Sequence, residues 1–359
     1  MKIAYFLIGK YEKENGVYKK IKSQIECWQQ LGHTVKIFHL SISDISIFQK
    51  DNNAVVCFAN NILFHSNIIY NEIKLFNPDI VYCRYVMLNY HFYRLMKNFK
   101  VISEINSDDI QEYKNDMNNK FNIKYIFKYY YNLLSHKLFF KNIVGAVFVS
   151  FELREKEKVK ESIVLENTLD LKNFKLKRPH KSKIPQLLFI GSPGQEWHGI
   201  DKLIYLAHKT IGKLEFHVIG IDKNVFNNLP INVNFYGYLK SNDYMEIFRK
   251  CDIGIGTLAL HRNKMNEASP LKTREYLVNG LPIIIGYNDT SIIKSKINLP
   301  FILNIGNYEN NVIENIDEIV DFSYKMKDVS LDRNIITNFD IKNIERQRIK
   351  FFEKICLGE

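Results

Sequence analysis

Short apolar runs rich in β-branched and aromatic residues alternate with helix-length amphipathic segments along almost all of this chain of 359 residues. That alternation is typical of parallel sheets covered by helices, because parallel strands need long crossover connections. We predict strands at 2–8, 34–40, 54–59, 80–85, 100–105, 145–150, 162–167, 186–191, 214–220, 233–238, 251–258, 281–286 and 299–306. The sequence therefore predicts an α/β protein with two doubly wound domains.

A polar and basic segment, LKNFKLKRPHKSKIP at 171–185, separates the two series of strands and contains two prolines, which is typical of a linker. The final stretch places five apolar side chains on one helical face: Ile341, Ile344, Ile349, Phe352 and Ile355. We therefore predict a Rossmann-like domain at 1–175, a second one at 184–335, and a C-terminal helix at 336–359 that packs on the first domain.

Composition excludes several classes of protein. Hydrophobic residues make up 46% and charged residues 25% of the chain, as in globular proteins and unlike collagen, mucins or disordered chains. The apolar runs are far shorter than the roughly 20 residues that span a bilayer, and we find no signal-peptide pattern. Five scattered cysteines without a CxxC pair argue against a disulfide framework and a thiolate zinc site. We expect a cytoplasmic protein, or one peripheral to the inner face of the cytoplasmic membrane.

The chain carries 50 Lys and Arg against 39 Asp and Glu, a formal net charge of +11. A basic excess of this size indicates an anionic partner, which could be nucleic acid, a phosphorylated small molecule or an acidic membrane surface. An AT-rich genome would also enrich Lys and Asn, so charge alone does not decide between these explanations.

The segment 261–286, HRNKMNEASPLKTREYLVNGLPIIIG, is the most informative part of the chain. Ser269 followed by Pro270 predicts an N-cap and a first helical residue, and Gly280 predicts the end of that helix. A helix N-terminus suits a phosphate or diphosphate, because its N–H groups are unpaired and the helix dipole is positive there. Lys272 in the first turn opposes the dipole, which is easier to explain if an anion binds; the alternative is a solvated helix start with an incidental lysine.

These residues resemble glycosyltransferase family 4 (group 1), the retaining GT-B glycosyltransferases. Glu267 and Glu275 have that family's Glu-x7-Glu spacing in its donor-site segment. Four further segments are similar in the same order: NGVYKKIKSQIECWQQLGHTVKIF, VFVSFELREKE with VLENTLD, LLFIGSPGQEWHGIDKLI, and VNFYGYLKSNDYMEIFRKCDIGIGTL. The resemblance covers nearly the whole chain and implies a GT-B fold, with two Rossmann-like domains facing a central cleft.

The resemblance also implies roles for particular residues on the donor side. Glu267 would bind hydroxyls of the donor sugar, and Glu275 the ribose. The diphosphate would be held by the backbone around Ser269, Leu271 and Lys272, and approached by Gly16 of the first domain. The turn at Gly237, Tyr238 and Leu239 would flank the base.

The sequence departs from the family pattern where many members hold the diphosphate with an Arg and a Lys. Here Ser192 and His198 occupy the matching positions. Lys272, Arg262 and Lys264 are the nearby candidates for the missing charge. Pro270 also removes one N–H that many members offer to phosphate.

On the acceptor side, the family's histidine after an N-terminal strand has no counterpart. SEINSDDIQEY at 103–113 stands in that region and offers Glu104, Asn106, Asp108 and Asp109. Asp108 either accepts the acceptor's proton as a catalytic residue or caps the next helix. Arg84 also follows a strand and either meets an anionic acceptor or forms a structural ion pair.

The stretch 120–141, KFNIKYIFKYYYNLLSHKLFFK, is basic and aromatic, with no Asp or Glu. Such a helix suits an anionic membrane surface, with aromatic rings at the interface and Lys near the headgroups. The alternative is a first-domain helix with its rings in the core. Nucleic acid is a weaker reading, because no nucleic-acid module accompanies the segment.

The resemblance thus implies a retaining glycosyltransferase that moves a sugar from a nucleotide-diphosphate sugar to a saccharide acceptor, and we expect a lipid-linked acceptor in bacterial surface polysaccharide synthesis. Two alternatives remain open: another enzyme on this fold, such as a sugar-nucleotide epimerase or a glycosidase with paired carboxylates, and a non-catalytic nucleotide- or glycan-binding module. We expect no cofactor and no metal, since no Asp-x-Asp occurs, and we expect no nucleic-acid partner.

Overall fold

The computed structural model describes residues 1–9, 16–42, 47–50, 53–59, 62–120, 122–168, 170–173, 182–239, 241–295, 299–331, 336–337 and 340–358. Several parts of the sequence predictions lie outside these residues, among them 10–15 in the first glycine loop, 174–181 in the predicted linker, and single positions such as 121, 169 and 240. The chain forms two compact units: unit 1 comprises Met1–Glu166 and Ile341–Glu359, and unit 2 comprises Asn167–Asp340.

Unit 1 is built on a sheet covered by helices. Its strands are β1 (Lys2–Ile8), β2 (Thr34–Ile42), β3 (Ile47–Lys50), β4 (Ala54–Ala59), β5 (Ile80–Arg84), β6 (Val101–Ile105), β7 (Gly145–Phe148) and β8 (Ser162–Val164). Its helices are α1 (Gly16–Gln30), α2 (Ile62–Phe76), α3 (Tyr90–Asn98), α4 (Asp109–Lys120), α5 (Ile123–Asn142), α6 (Phe151–Lys156) and, from the end of the chain, α13 (Ile341–Leu357). The strand order is β3-β4-β2-β1-β5-β6-β7-β8, parallel except for the antiparallel pair of β3 and β4.

Unit 2 repeats this architecture. Its strands are β9 (Gln186–Ile190), β10 (Glu215–Ile219), β11 (Val233–Phe235), β12 (Ile253–Ile255), β13 (Glu267–Ala268), β14 (Ile283–Ile285), β15 (Asn288–Asp289) and β16 (Ile302–Asn304). Its helices are α7 (Ile200–Lys209), α8 (Ser241–Lys250), α9 (Leu271–Val278), α10 (Thr290–Ser295), α11 (Asn311–Glu314) and α12 (Ile316–Met326). The main sheet has the order β11-β10-β9-β12-β14-β16, and β13 and β15 form a separate parallel pair.

The predicted fold class, two doubly wound parallel-sheet units, is confirmed by this topology. Every predicted apolar run contains a strand. The sequence missed β3, β13 and β15, for which there are physical reasons. β3 is an antiparallel strand at the sheet edge, and β13 and β15 have two residues each, too short for any periodic signal.

The division between the units falls after Glu166, earlier than the end at 175 expected from the sequence. Hydrogen bonds explain this difference. The backbone N–H of Asn167 donates to Ser269 Oγ at 2.9 Å, and its carbonyl accepts from Arg274 Nε at 2.8 Å. The chain is therefore tied to unit 2 as soon as β8 has ended.

Helix α13 packs in unit 1, as the fold prediction implied. Ile344, Ile349 and Phe352 lie in the same apolar core as Tyr5 and Trp28. The helix also buries two charged side chains in that unit, Glu345 and Arg348, each 1% exposed. No helix in the described part of the chain is long and apolar enough to cross a bilayer.

Candidate functional site

The best candidate site in unit 2 lies where β9 ends and α9 begins. In open parallel sheets, ligands bind beyond the carboxyl ends of the strands. The turn Glu196–His198 follows β9 and leads into α7 through Gly199, which has a positive φ of 76°. Lys272, in the first turn of α9, reaches both β9 and this turn. The N-terminus of a helix, a lysine and a histidine thus lie together at the carboxyl end of the central strand β9.

The ends of α9 are partly as the sequence indicated. Gly280 follows the helix at φ 77°, and N–H groups of Gly280 and Leu281 bond back to Leu277 and Tyr276. This is the hydrogen-bond pattern of a glycine-terminated helix.

At the other end of α9, Pro270 and not Ser269 occupies the N-cap position, and it supplies no side-chain cap. The helix therefore starts at Leu271, one residue later than predicted. The hydroxyl of Ser269 is used elsewhere: it accepts from Asn167 N–H at 2.9 Å and from Arg274 at 3.0 Å. Ser269 is 4% exposed, so its side chain fixes the loop from inside and does not point to a ligand.

Arg274 forms a buried ion pair that the sequence did not reveal. Its guanidinium donates to both oxygens of Asp289, at 2.8 and 2.7 Å. It also donates to Ser291 Oγ at 2.8 Å. Both charged side chains are almost fully enclosed. This cluster fixes α9 to β15 and to the start of α10, and so sets the position of the candidate site.

Lys272 lies against His198, at the position where the family pattern has a lysine. Its Nζ donates to the carbonyl of Ile190 at 2.9 Å and lies 3.1 Å from His198 Nε2. The rings of Phe189 and Trp197 lie 5.7 and 5.9 Å from the same nitrogen. The positive group missing from position 198 can therefore be supplied from α9.

Burial shifts the pKa values of this pair strongly. It lowers the pKa of Lys272 to about 7, because the charged form loses water. Burial, together with Lys272, lowers the pKa of His198 to about 2, so the imidazole is neutral. Shifted lysine and histidine pKa values at a strand end are common at functional sites.

The two glutamates of the Glu-x7-Glu motif lie in different surroundings. Glu275 is half-buried, and its Oε2 accepts a hydrogen bond from the Tyr244 hydroxyl at 2.8 Å. Glu267 is 6% exposed and belongs to β13, which pairs with β15. Tyr244 was not predicted as a site residue; its spacing in α8 gave no signal that it would reach α9.

Arg262, a predicted donor-binding residue, has all its N–H groups occupied. It donates to Asp201 at 2.9 and 2.8 Å, to Glu309 at 3.3 and 2.6 Å, and to the Glu196 carbonyl at 3.1 Å. Two carboxylates therefore already balance its charge. Lys264 is exposed on the left-handed turn that follows, with φ 52°. Of the three charge candidates, Lys272 is the one placed at the N-terminus of α9.

The turn predicted to flank the base follows β11. The Gly237 carbonyl accepts from Gly220 N–H at 2.7 Å, and Gly237 has φ 62°. A Cβ on Gly220 would lie 2.3 Å from the Gly191 carbonyl oxygen, so the ends of β9 and β10 approach too closely for a side chain. Tyr238 is 79% exposed and Leu239 half-buried, and both are open to a ligand.

Glu104, predicted for the acceptor side, lies in the interior of unit 1. It is 1% exposed and accepts from Lys20 Nζ and from the Tyr82 hydroxyl at 2.7 Å, with Arg348 at 3.3 Å. The alternation of β6 turns this side chain toward α1 and α13, and these partners enclose it. The acceptor role is therefore corrected to a structural one for Glu104.

Asp108 caps the start of α4, which is one of the two roles that the sequence left open for it. Its Oδ1 accepts from Gln111 N–H at 3.0 Å at the start of α4, and its Oδ2 pairs with Lys156 at 2.9 Å. Both oxygens are occupied, which argues against Asp108 as the proton acceptor. Asp109 is buried and accepts from Asn132 at 2.6 Å.

The other predicted residues of unit 1 lie at the ends of elements. Arg84 is the last residue of β5, and Asn106 follows β6 and is half-buried. Gly16 is the first residue of α1 and has open space around it.

The basic aromatic stretch forms α5, and only one face of it packs. Asn132, Ser135, His136, Phe139 and Phe140 are buried. Its large exposed side chains include Ile123 (82%), Phe127 (70%), Tyr130 (55%) and Leu134 (80%). The expectation that the core takes up its rings holds for the two phenylalanines near its end, whereas an apolar stripe stays in water.

Within the described residues, no group of three His, Cys, Asp or Glu side chains is arranged to hold a metal ion. The side chains described above at the end of β9 and on α9 include Lys272, His198 and Glu275.

No protein-family model matches the chain, and no curated protein matches it. Solved structures do match over the whole length. Sucrose-phosphate synthase from Thermosynechococcus elongatus superposes with a TM-score of 0.71 at 12% identity, covering 99% of this chain and 100% of that one. The lipopolysaccharide outer core galactosyltransferase WaaB, apo form, gives 0.63 at 15% identity, covering 100% and 99%. Anabaena HepE, in complex with UDP and glucose, gives 0.64 at 11% identity, covering 99% and 100%. At these identities the likeness shows the fold, which is that of GT-B glycosyltransferases.

Proposed function

We propose that this chain is a retaining glycosyltransferase that transfers a sugar from a nucleotide-diphosphate sugar to a saccharide acceptor. The observation that carries the proposal is the arrangement of residues at the carboxyl end of β9 in unit 2. Lys272 and the N-terminus of α9 lie beside the end of β9, and Glu275 stands on the same helix. The structural neighbours that bind UDP or act on saccharides support the choice of this chemistry on this fold.

The mechanism that fits these residues needs no protein nucleophile. The N–H groups at the start of α9, with Lys272, bind the leaving diphosphate and stabilise the charge that develops on it. The diphosphate takes the proton of the incoming hydroxyl on the face from which it departs, so the anomeric configuration is retained. Glu275 binds the ribose, and Glu267 binds the donor sugar.

A panel of UDP-, GDP-, ADP-, dTDP- and CMP-sugars in a thermal-shift assay tests the donor site and identifies the base. A ligand at about 100 times its Kd stabilises a protein by about 2.7 kcal/mol, which such an assay detects. Stabilisation by one base class is the expected result. No stabilisation by any of them would overturn the donor site.

Glu275→Gln tests the ribose contact. Loss of a charged hydrogen bond costs about 1.5 to 3 kcal/mol, so the Kd for the donor should rise about tenfold or more in calorimetry. Glu246→Gln, an exposed carboxylate on α8, is the matched control and should leave Kd unchanged. An unaltered Kd in Glu275→Gln would remove Glu275 from the site.

Product analysis separates the transferase from its alternatives. Release of free nucleoside diphosphate only when a saccharide acceptor is present identifies a transferase, and the anomeric NMR signal of the product reports retention. Release without acceptor would indicate an epimerase or hydrolase. Tight nucleotide binding with no turnover at all would indicate a binding module.

We further propose that the acceptor is lipid-linked, in synthesis of a bacterial surface polysaccharide, and that α5 lies on the anionic inner face of the membrane. The exposed stripe of Ile123, Phe127, Tyr130 and Leu134 is accompanied by exposed Lys124, Lys137 and Lys141. Apolar rings with flanking lysines suit an interface with anionic lipid.

Cosedimentation with vesicles tests this surface. Binding to vesicles with anionic phosphatidylglycerol, and not to pure phosphatidylcholine, is expected, and Phe127→Ser with Leu134→Ser should abolish it. A control pair in unit 2, Ile231→Ser with Val225→Ser, removes exposed apolar residues elsewhere and should leave binding intact. Equal binding by both double variants would contradict the role of α5.

A further inference from the structure

Hydrogen bonds around His198 determine which of its ring nitrogens carries a proton. The backbone N–H of Ser192 lies 3.2 Å from His198 Nδ1, and a backbone amide can only donate. Nδ1 therefore accepts, so the neutral imidazole carries its proton on Nε2. That N–H then points at Lys272 Nζ, 3.1 Å away.

An ammonium group cannot accept this hydrogen bond, because it has three donors and no lone pair. A neutral amine can accept it while donating to the Ile190 carbonyl, which lies 2.9 Å from Nζ. The geometry thus suits an uncharged Lys272. Burial acts in the same direction on its pKa, lowering it to about 7. The nearby rings of Phe189 and Trp197 favour the charged form and so act against burial.

Other ionisable groups around this amine are held by partners of their own. They are Glu196, on the turn that carries His198, and Arg274 and Glu275, on α9 itself. Arg274 is bound by Asp289, and Glu275 accepts from Tyr244. Among the described contacts of Lys272 Nζ, His198 is therefore the titratable group that matters.

We propose that Lys272 is a neutral amine in the free protein and takes up one proton from solvent as the diphosphate of a nucleotide sugar binds, with His198 as the positioning residue that keeps it neutral beforehand. A phosphate oxygen beside Nζ accepts from both the ammonium and the imidazole N–H, which removes the conflict between two donors. The proposal deepens the donor site proposed above and rests on it.

Calorimetry on the full chain measures this proton directly. The probe is UDP-glucose, or the sugar nucleotide that stabilises most in the panel. Both of its phosphates are esterified and do not titrate near neutral pH, so any proton taken up belongs to the protein. Titration at about pH 8, in buffers of small and large ionisation enthalpy, should show close to one proton bound per nucleotide. The Kd should rise about tenfold per pH unit above that pH.

Three variants assign the proton. Lys272→Arg is always charged, so it should bind with no proton uptake and a flat pH profile. Lys272→Met should lose both the uptake and most of the affinity. His198→Gln offers an amide oxygen that accepts from the ammonium, so it should take up less than one proton when the nucleotide binds. Lys213→Met, an exposed lysine in a turn, is the control that should match the parent chain.

The results of these titrations distinguish failure of the proton-uptake proposal from failure of the donor site. Nucleotide binding without proton uptake by the parent chain overturns this inference and leaves the donor site standing. Uptake that persists in both Lys272→Arg and Lys272→Met places the proton on another group and overturns it too. Uptake unchanged in His198→Gln removes the role of His198. Failure of every sugar nucleotide to bind overturns the proposed function itself.

Discussion

Neighbouring charged residues of α9 differ in their burial and in their partners. Lys272 and Glu275 are half-buried and contact β9 and Tyr244, whereas Arg274 between them is 1% exposed and paired with Asp289. Because each helical residue turns by about 100°, a step of one or two residues is enough to move from a partly exposed side to the interior. The charge of a residue in a motif therefore does not reveal which side it serves.

Arg262 gives a prediction at this scale. All its donors are bound by Asp201, Glu309 and the Glu196 carbonyl, and its bond holds the pKa of Glu309 down to about 2. Arg262→Met should therefore leave the Kd for the nucleotide within about twofold, since 1.4 kcal/mol would be tenfold. Its cost should be a small loss of stability, because the cluster is partly exposed. Calorimetry beside Lys272→Met, which should weaken binding strongly, makes the comparison; equal losses in both would return Arg262 to the donor site.

Glu104 leads to a second prediction, which concerns how the stability of the chain depends on pH. Burial by itself would raise its pKa, but Lys20 and Arg348 outweigh burial and hold the pKa well below its usual range. A carboxyl with a depressed folded pKa stabilises above its unfolded value of about 4.3, and that stability is lost as pH falls through the folded pKa.

Glu104→Gln should thus cost about 3 to 5 kcal/mol at neutral pH, because it leaves buried cations unpaired. The difference from the parent chain should shrink as the pH falls below about 4. Urea unfolding across pH measures it, with the exposed Glu155→Gln as control. A loss that does not depend on pH would contradict the charge argument.

At the scale of elements, close packing of α9 on β12 determines where the site stands. The Tyr276 ring covers Gly254, where an added Cβ would lie 2.3 Å from ring carbons. The Tyr276 hydroxyl accepts from Ile190 N–H at 2.9 Å, on the same residue whose carbonyl binds Lys272. The helix and the end of β9 are thus locked together by one side chain.

Gly254→Ala should therefore force Tyr276 and α9 away from the sheet. We expect a loss of about 1 to 3 kcal/mol from overpacking, with weaker nucleotide binding as Lys272 is displaced. Gly16→Ala, at a glycine with open space around it, is the control for stability alone and should change stability by less than about 0.5 kcal/mol. Thermal unfolding and calorimetry measure both effects. Normal binding in Gly254→Ala would show that α9 does not depend on this contact.

At the scale of the whole molecule, each unit has apolar core residues of its own among the described residues. Phe352 of α13 is fully buried in the core of unit 1, and Phe216 of β10 in that of unit 2. The end of the chain thus completes the core that its beginning started. Glu345 and Arg348 add a buried polar cluster with Trp28, whose Nε1 donates to Glu345 at 2.7 Å.

Phe352→Ala and Phe216→Ala form a matched pair that tests this division. Each should cost about 3 to 5 kcal/mol, but in different units. Hydrogen exchange should rise in β1, β5 and β6 for the first variant and in β9, β10 and β12 for the second. The same pattern of exchange in both would contradict two separate cores.

The sequence alone determined the two doubly wound units, the positions of most strands and the apolar face of α13, because burial imposes a period on the residues along each element. It also named Lys272, with Arg262 and Lys264, as a candidate for the charge that the family pattern places at position 198. Tertiary structure decided which polar groups pair with one another: Glu104 with Lys20, Arg262 with Asp201 and Glu309, and Ser269 with Arg274. Apart from Ser269 and Arg274, these partners lie far apart in the chain, and no periodicity records any of the pairs, so only the folded molecule shows which charges remain for a ligand.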